Sequence, residues 1–251
     1  MAVQQVREVV VAVRSNLNSP RLSIIVPMLN ERKGLQTFLA SLQSLRQSGV
    51  ELIIVDGGSH DGTCEALHLE YASMTDKVLS SARGRAHQMN SGAHASQGEV
   101  LLFLHADTVL PPDTLHLLDM ADLAGTQGWG CFNVRLNGRH PAFRVIEWFM
   151  SNRSRITGIA TGDQAIVISR SLFDSLGGYS ALPLMEDIDL CRRLRHVKSP
   201  KRITGTVVTS SRRWEVNGIV KTVLLMWWLR LAYFMGVPAE RLWQYYRKSP
   251  R

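Results

Sequence analysis

Cysteine is scarce, at three residues in 251, and Cys64, Cys131 and Cys191 stand 67 and 60 positions apart. That spacing excludes a disulfide framework and a CxxC zinc site, and a core of this size needs no staple. A reducing compartment follows, with all three thiols expected in the interior rather than as reactive groups. Proline (9) and glycine (19) are too few, and the 45% hydrophobic content too high, for a disordered or collagen-like chain. GxxxxGK[ST] is missing, and no GxGxxG sits at a strand-to-helix turn, which argues against P-loop phosphoryl transfer and a standard dinucleotide fold. Long apolar runs are missing too. Val9–Val13, between Glu8 and Arg14, is too short for a signal peptide. Ile219–Val237 is broken by Lys221 and Arg230, making a poor membrane span and a fair amphipathic helix.

Acids are rare in the last quarter. From residue 190 onward 14 Lys/Arg face only Glu215 and Glu240, a net of +12, while the first 189 residues carry −4. A basic quarter on an acidic body suits a phosphate-bearing partner or an anionic membrane surface, or is simply a soluble basic face. Nucleic acid is not expected, because the basic residues lack the interleaved aromatics of a stacking platform.

What is present is alternation. Leu22–Pro27, Glu51–Asp56, Lys77–Ser80 and Val100–His105 read as strands, separated by helices expected over Glu31–Ser48, from about Asp61, and over Arg85–Ser96. Uninterrupted apolar strands between helices predict an α/β fold with a mostly parallel sheet flanked by helices. Further strands are expected at Trp129–Leu136, Gln164–Ser169 and Arg202–Thr209, with helices at Pro141–Ser154, Glu186–His196, Gly218–Met235 and Pro238–Arg247. The first 18 or so residues read as a loosely attached helix. Ligands of such sheets sit beyond the carboxyl ends of the strands, where Asn30–Glu31, Asp56–Asp61 and His105–Asp107 fall.

Each polar cluster has a chemical and a structural reading. Asp56-Gly-Gly-Ser59-His-Asp61-Gly-Thr63 suits a grip on a base or ribose; equally, it suits an Asx turn followed by a helix cap at Asp61. Arg83-Gly-Arg85 before a helix makes a diphosphate clamp or a solvated charge pair. Asp107 at a buried strand end fits a Mg²⁺ or Mn²⁺ site, or caps a helix near Pro111, while His105 reads as a satisfied core histidine. Glu186-Asp187 opens a helix as dipole complement or as a general base beside an acceptor hydroxyl. Arg192, Arg193, Arg195 and Arg212-Arg213 are diphosphate ligands or plain surface.

Taken in order, Pro27-x-x-Asn30-Glu31, the Asp56–Thr63 run, Asp107, Gly177-Gly178-Tyr179 and Glu186-Asp187 resemble the family 2 glycosyltransferases. The resemblance covers about residues 22 to 214 and implies the GT-A fold, with residues 1–19 as an extension, 20–214 as the transferase domain and 215–251 as a C-terminal helical extension. It implies an inverting transfer from a nucleotide-sugar, UDP before GDP, to an acceptor hydroxyl, with a nucleotidyltransferase or a non-catalytic nucleotide-sugar-binding protein as rival readings. By the same resemblance Asp187 is the catalytic base with Glu186 in support. Pro27, Asn30, Glu31, Asp56, Ser59, Asp61, Arg83, Arg85, Asn90 and Arg213 bind the nucleotide, and Asp107 holds Mg²⁺ or Mn²⁺. His105-Ala106-Asp107 lacks the other acid of the family's metal triplet, and Arg-Arg-Leu-Arg replaces its usual distal basic motif. Arg83–Asn90, Gly162-Asp163-Gln164 and Ser210–Glu215 further resemble a bacterial subgroup linked to arsenosugar biosynthesis. The acceptor is expected to be a small molecule or lipid-linked, and the setting cytoplasmic. The C-terminal helix either packs on the sheet or a second copy, as a homodimer, or touches the inner face of the plasma membrane.

Overall fold

The computed structural model describes residues 21–247, so the N-terminal extension falls outside the described residues. The first half runs β1 (Leu22–Met28), α1 (Leu35–Gln47), β2 (Glu51–Asp56), α2 (Thr63–Leu69), β3 (Lys77–Ser80), α3 (Arg85–Ala95) and β4 (Val100–Phe103). The second half runs β5 (Thr108–Val109), α4 (Thr114–Ala121), β6 (Trp129–Leu136), α5 (Ala142–Thr157), β7 (Ile166–Ser169), α6 (Arg170–Ser175), α7 (Glu186–Val197), β8 (Lys201–Thr209), α8 (Arg212–Asn217), α9 (Ile219–Phe234) and α10 (Ala239–Arg247).

One eight-stranded sheet has the order β3-β2-β1-β4-β7-β6-β8-β5. The four strands from β3 to β4 are parallel, β7 is antiparallel to both neighbours, β8 parallels β6, and β5 runs against β8. All seven residues of β1 are buried, and alternate side chains feed two cores. Ile24 and Val26 pack with the α1 stripe Leu35, Phe38, Leu39, Leu42 and Leu45, whose spacing is helical. Ile25 packs on the opposite face with Ala86, Met89 and Ala93 of α3. A methyl group on Gly92 would stand 2.4 Å from Ile25 Cγ2, so glycine sets how closely α3 lies on the sheet. The same core takes Ile188 and Leu194 of α7, Leu229 and Ala232 of α9, and Leu242 of α10.

Two elements begin later than expected because hydrogen bonds from distant residues override the local pattern. The helix expected from Glu31 begins at Leu35, because Asn30 turns left-handed (φ 58°) and the following amides bond to the loop after β2. The strand expected from Gln164 begins at Ile166. Gly162–Gln164 is a single 3₁₀ turn, and the buried Gln164 amide donates to Ser154 Oγ at 2.8 Å. The division drawn at residue 214 falls inside α8. Of the three thiols only Cys191 is fully buried; Cys64 and Cys131 are half-buried, and burial pushes Cys131 up to about 11.

Glu51 is the charged anchor of the sheet's amino-terminal edge. Its carboxylate is 8% exposed and accepts bonds from Lys77 Nζ (2.8 Å), Ser23 Oγ (2.5 Å) and the Gln97 amide (2.7 Å). Burial raises its pKa, but Lys77, Ser23 and Gln97 outweigh that and leave it below 4.5. A depressed carboxylate contributes stability that is full above its unfolded value and lost as pH falls through the folded one. Glu51→Gln is expected to cost about 2 kcal/mol near neutrality, measured by urea unfolding. The gap to wild type should close as pH drops below 4.5, and a gap independent of pH would exclude this role.

Candidate active site

The parallel strands end level, with Met28 opposite Asp56 and Asp56 opposite Ser80, so their outgoing loops share one edge. Two of these loops are laced together. Asn30 N–H donates to Ser59 Oγ (2.9 Å), Asn30 Oδ1 accepts from His60 N–H (2.8 Å), Glu31 N–H donates to Thr63 Oγ1 (3.0 Å) and Arg32 N–H donates to Asp61 Oδ2 (3.0 Å). Asp56 accepts from the amides of Gly58 and Ser59 and from Ser59 Oγ, an Asx turn that takes three of its roughly four acceptor positions. Asp61 stands one residue before the left-handed Gly62 that opens α2 and accepts from Thr63 N–H and Oγ1. Burial raises the Asp61 pKa, yet these bonds and the Arg32 amide hold it below the ordinary range. Pro27 is buried within β1.

Beneath this pair of loops lies Gln88, which the sequence analysis had left without a role. Its buried Nε2 donates to Met28 O (2.9 Å) and Val55 O (2.8 Å), joining the ends of β1 and β2 to α3. A polar residue inside the apolar stripe Ala86, Met89, Ala93 is the signal that marks it. Two residues on, Asn90 spends both ends of its amide on the backbone of Tyr179: Nδ2 donates to the carbonyl (2.8 Å) and Oδ1 accepts the N–H (2.9 Å). Its place is therefore under the Gly177–Tyr179 turn, not among free groups facing a nucleotide. Arg193 grips the same turn through Leu176 O and Gly178 O and pairs with Asp189 at 2.9 Å, so it too has a structural task.

That turn leads to Met185, left-handed at φ 68°, and then to Glu186 and Asp187 at the start of α7. A non-glycine residue held there is strained, and such strain gathers at functional sites. Glu186 is buried, with its Oε1 4.0 Å from Arg85 Nη1. Burial and the charge of Asp187 raise the Glu186 pKa above the ordinary range, against the pull of Arg85. Asp187 Oδ2 accepts the Gly162 amide at 2.9 Å. Next to it, His105 Nδ1 lies 3.2 Å from Asp163 Oδ1, and a methyl on Gly162 would strike the His105 ring at 2.3 Å. Burial raises Asp163, but His105, Arg85 and Arg230 bring it to about 2.

The structure thus brings Arg85, His105, Asp163, Glu186 and Asp187 together and keeps the Asn30–Asp61 loops as a separate wall. Arg83 is exposed in the loop before α3. Arg213 stacks 4.0 Å over Tyr246 of α10 and bonds its hydroxyl, while Arg212 reaches Glu31 at 3.8 Å. Asp107 is exposed beyond β4, seven residues before the first residue of α4, so it does not cap that helix; Thr108 Oγ1 approaches its carboxylate at 3.5 Å. Among the described residues no three His, Cys, Asp or Glu side chains gather as a metal group, and no helix is long and apolar enough to cross a membrane.

Comparison with known proteins follows the same outline. A family model described as Glycosyl transferase family 2 matches residues 23–140. A PGL/p-HBAD biosynthesis glycosyltransferase of Mycobacterium bovis is 34% identical over 221 residues, 82% of this chain and 81% of that protein. An undecaprenyl-phosphate 4-deoxy-4-formamido-L-arabinose transferase of Aeromonas hydrophila is 26% identical over 61% of this chain, which spans about half (49%) of that relative's length. In fold, the chain is similar to the mannosyltransferase PcManGT of Pyrobaculum calidifontis, solved with GDP-Man and Mn²⁺, at TM-score 0.58 and 23% identity over 76% of this chain and 56% of that one. It is likewise similar to Staphylococcus aureus TarS solved with UDP, at TM-score 0.54 and 18% identity over 76% and 60% of the two chains.

The Gln88 bridge yields a stability prediction. Gln88→Leu takes a donor from both carbonyls, leaving Met28 O to the Gly57 amide alone, and is expected to cost about 1–3 kcal/mol, seen as a lower denaturation midpoint. Unchanged stability would show that water or relaxed strands replace the bridge.

Proposed function

The chain belongs to the family 2 glycosyltransferases, and from that premise we propose that it transfers a sugar from a UDP-sugar to an acceptor hydroxyl with inversion at the anomeric carbon. The observation that carries this reading is the placement of Asp187, held by the Gly162 amide, beside the buried Glu186 at the start of α7. Two adjacent carboxyl groups with different environments divide the labour: Glu186 keeps its proton to higher pH, and Asp187 serves as the base. Asp187 takes the acceptor hydroxyl's proton as the oxygen bonds to the anomeric carbon. The bond from that carbon to the nucleoside diphosphate breaks on the opposite face, and its electron pair leaves with the diphosphate. The Gly162 amide holds Asp187 in place, and Asn90, Arg193 and the Gly177–Tyr179 turn hold α7.

On the donor side the laced loops form a rigid wall, and the remaining acceptor position of Asp56 suits the imide N–H of uracil, with guanine as the alternative. Arg85, and the exposed Arg83 beside it, face the charge that grows on the leaving diphosphate. Asp107 fits the role of protein anchor for Mg²⁺ or Mn²⁺: it is exposed at the site edge, and magnesium is commonly held by one or two carboxylates with substrate phosphates completing the shell. Such an ion supplies positive charge to the donor's phosphates when bound. His105 is turned to Asp163 instead, so the site offers Asp107 as its available carboxylate on this loop.

Titration calorimetry with UDP and GDP, with and without Mn²⁺, tests the donor site: Mn²⁺-dependent UDP binding is expected, and binding of neither nucleotide under any condition would overturn the reading. Asp107→Ala should remove the Mn²⁺ dependence. Asp187→Asn should lower turnover by roughly 10²–10⁴-fold, the usual contribution of a positioned base, with nucleotide affinity little changed. Wild-type turnover in that variant would assign the base elsewhere.

A further inference from the structure

α9 is apolar on both its inner and its outer side. Leu229 and Ala232 lie in the core shared with α3 and α7, and Leu225, Met226 and Tyr233 pack against that core. The outer side carries Val220, Leu224, Trp227, Trp228, Leu231 and Phe234 at helical spacing, each between 47% and 70% exposed. Lys221 is the one exposed charge of the helix, and Arg230 is half-buried. A helix that is hydrophobic all round belongs in a core or against lipid, so its outer stripe calls for a covering surface. The stripe is also continuous with its neighbours. Trp227 meets Phe149 of α5 edge to face at 6.3 Å, Phe149 meets Trp148 at 5.0 Å, and Trp228 meets Tyr245 of α10 at 5.2 Å. Three helices thus share one exposed aromatic face, a contiguous apolar patch of the kind that marks an interaction site.

Charge at the rim selects the occupant. Lys221 stands at one end of the stripe, and at the other the exposed Arg192 guanidinium lies 5.9 Å from the centre of the Phe234 ring. Arg241 is exposed one turn before Tyr245 on α10, and Arg155 is exposed beside Ile156 on α5. The only acids on these three helices are Glu147, paired with Arg144 at 2.9 Å, and Glu240. Two copies docked by this face would set like charges against each other, which is costly. An anionic bilayer instead neutralises the rim and takes the apolar stripe into its interfacial layer. Tryptophan and tyrosine, with an apolar ring and one polar group, favour that depth. α9 has 16 residues, and no described helix is long and apolar enough to cross a membrane, which suits a helix lying along the surface.

We propose that α5, α9 and α10 form a docking face for an anionic lipid bilayer, with the Leu224–Trp227–Leu231 stripe in the interfacial layer and Lys221, Arg192 and Arg241 over the charged head groups. Sedimentation of the full chain with vesicles of equal parts phosphatidylcholine and phosphatidylglycerol, against phosphatidylcholine alone, tests this directly. Wild type should pellet with the mixed vesicles, bind phosphatidylcholine at least about tenfold more weakly, and lose mixed-vesicle affinity as salt is raised. Leu224→Ser/Trp227→Ser/Leu231→Ser should lose at least about tenfold in affinity for the mixed vesicles. Its melting temperature should hold, because all three side chains are more than half exposed. Lys221→Glu/Arg241→Glu should lower affinity for the mixed vesicles alone. Leu69→Ser/Met120→Ser, which removes exposed apolar side chains from α2 and α4, should bind like wild type. Failure of wild type to pellet with the mixed vesicles at low salt would overturn the proposal, and so would equal binding to both compositions. Pelleting unchanged in the triple serine variant would reduce the effect to bare charge attraction and overturn the apolar face. A melting temperature that collapses in that variant would show the stripe to be packed within the chain. A wild-type dimer that the same variant dissolves, without vesicle binding, would assign the face to a second copy. The donor site is read separately: UDP titration should be the same for wild type and the triple serine variant, and loss of UDP binding in wild type would sink the transfer reading without touching the vesicle result.

Discussion

A short helix, α3, ties the two halves of the site to each other, and it does so through four consecutive contacts on one element. Arg85 faces Glu186, Gln88 holds the carbonyls that end β1 and β2, Asn90 holds Tyr179, and Gly92 lets the helix sink onto Ile25 and Val55. The loops after β1 and β2 and the acidic start of α7 lie far apart in sequence. Their relative position is therefore set by hydrogen bonds that a buried amide must make, because an unmade bond in this interior costs more than a made one returns. A catalytic constellation tolerates little displacement, and α3 supplies the rigid reference from which both sides are placed.

The electrostatics of the acidic side follow from that packing. Burial alone would neutralise every acid there, yet Glu186 and Asp163 move in opposite directions. Glu186 has Asp187 as its nearest charge and a guanidinium only at 4.0 Å, so it goes up. Asp163 has His105 in hydrogen-bond contact and the charges of Arg85 and Arg230 behind it, so it goes down. The division arises from depth, with the Glu186 side chain 6% exposed and that of Asp163 46%, and from which partner touches which carboxyl. It sets a carboxyl with a raised pKa and one with a lowered pKa on either side of the Gly162–Asp187 contact.

Much of the fold is legible in the sequence because its signals are local. Buried parallel strands have no polar face, so Leu22–Met28 and Glu51–Asp56 read as apolar runs, and the α1 stripe reads as a period of 3.6. The misplacements occur where a long-range bond overrides local pattern. The start of α1 is delayed by amides tied to Ser59 and Thr63, some thirty residues away, and the 3₁₀ turn at Gly162 is fixed by Gln164 reaching Ser154. The acids of the site were visible as motifs, and so was the Asx turn of Asp56, but the tasks of Asn90 and Arg193 were not. Each spends its side chain on a backbone group, and such a group carries no sequence signature.

The C-terminal helices belong to this site as much as the sheet does. Through Leu229, Ala232 and Leu242 they share the core that holds α3 and α7, so their position cannot shift without disturbing those helices. From that core α10 sends Tyr246 to stack on Arg213, beside the Arg212–Glu31 contact that reaches the loop after β1. α9 meanwhile turns Arg230 inward and Trp227 outward. A helix whose only duty was packing would show polar residues where Trp227, Leu231 and Phe234 are exposed. The inner side of α9 is thus fixed by the shared core, while its outer side keeps an apolar surface that packing within this chain does not require.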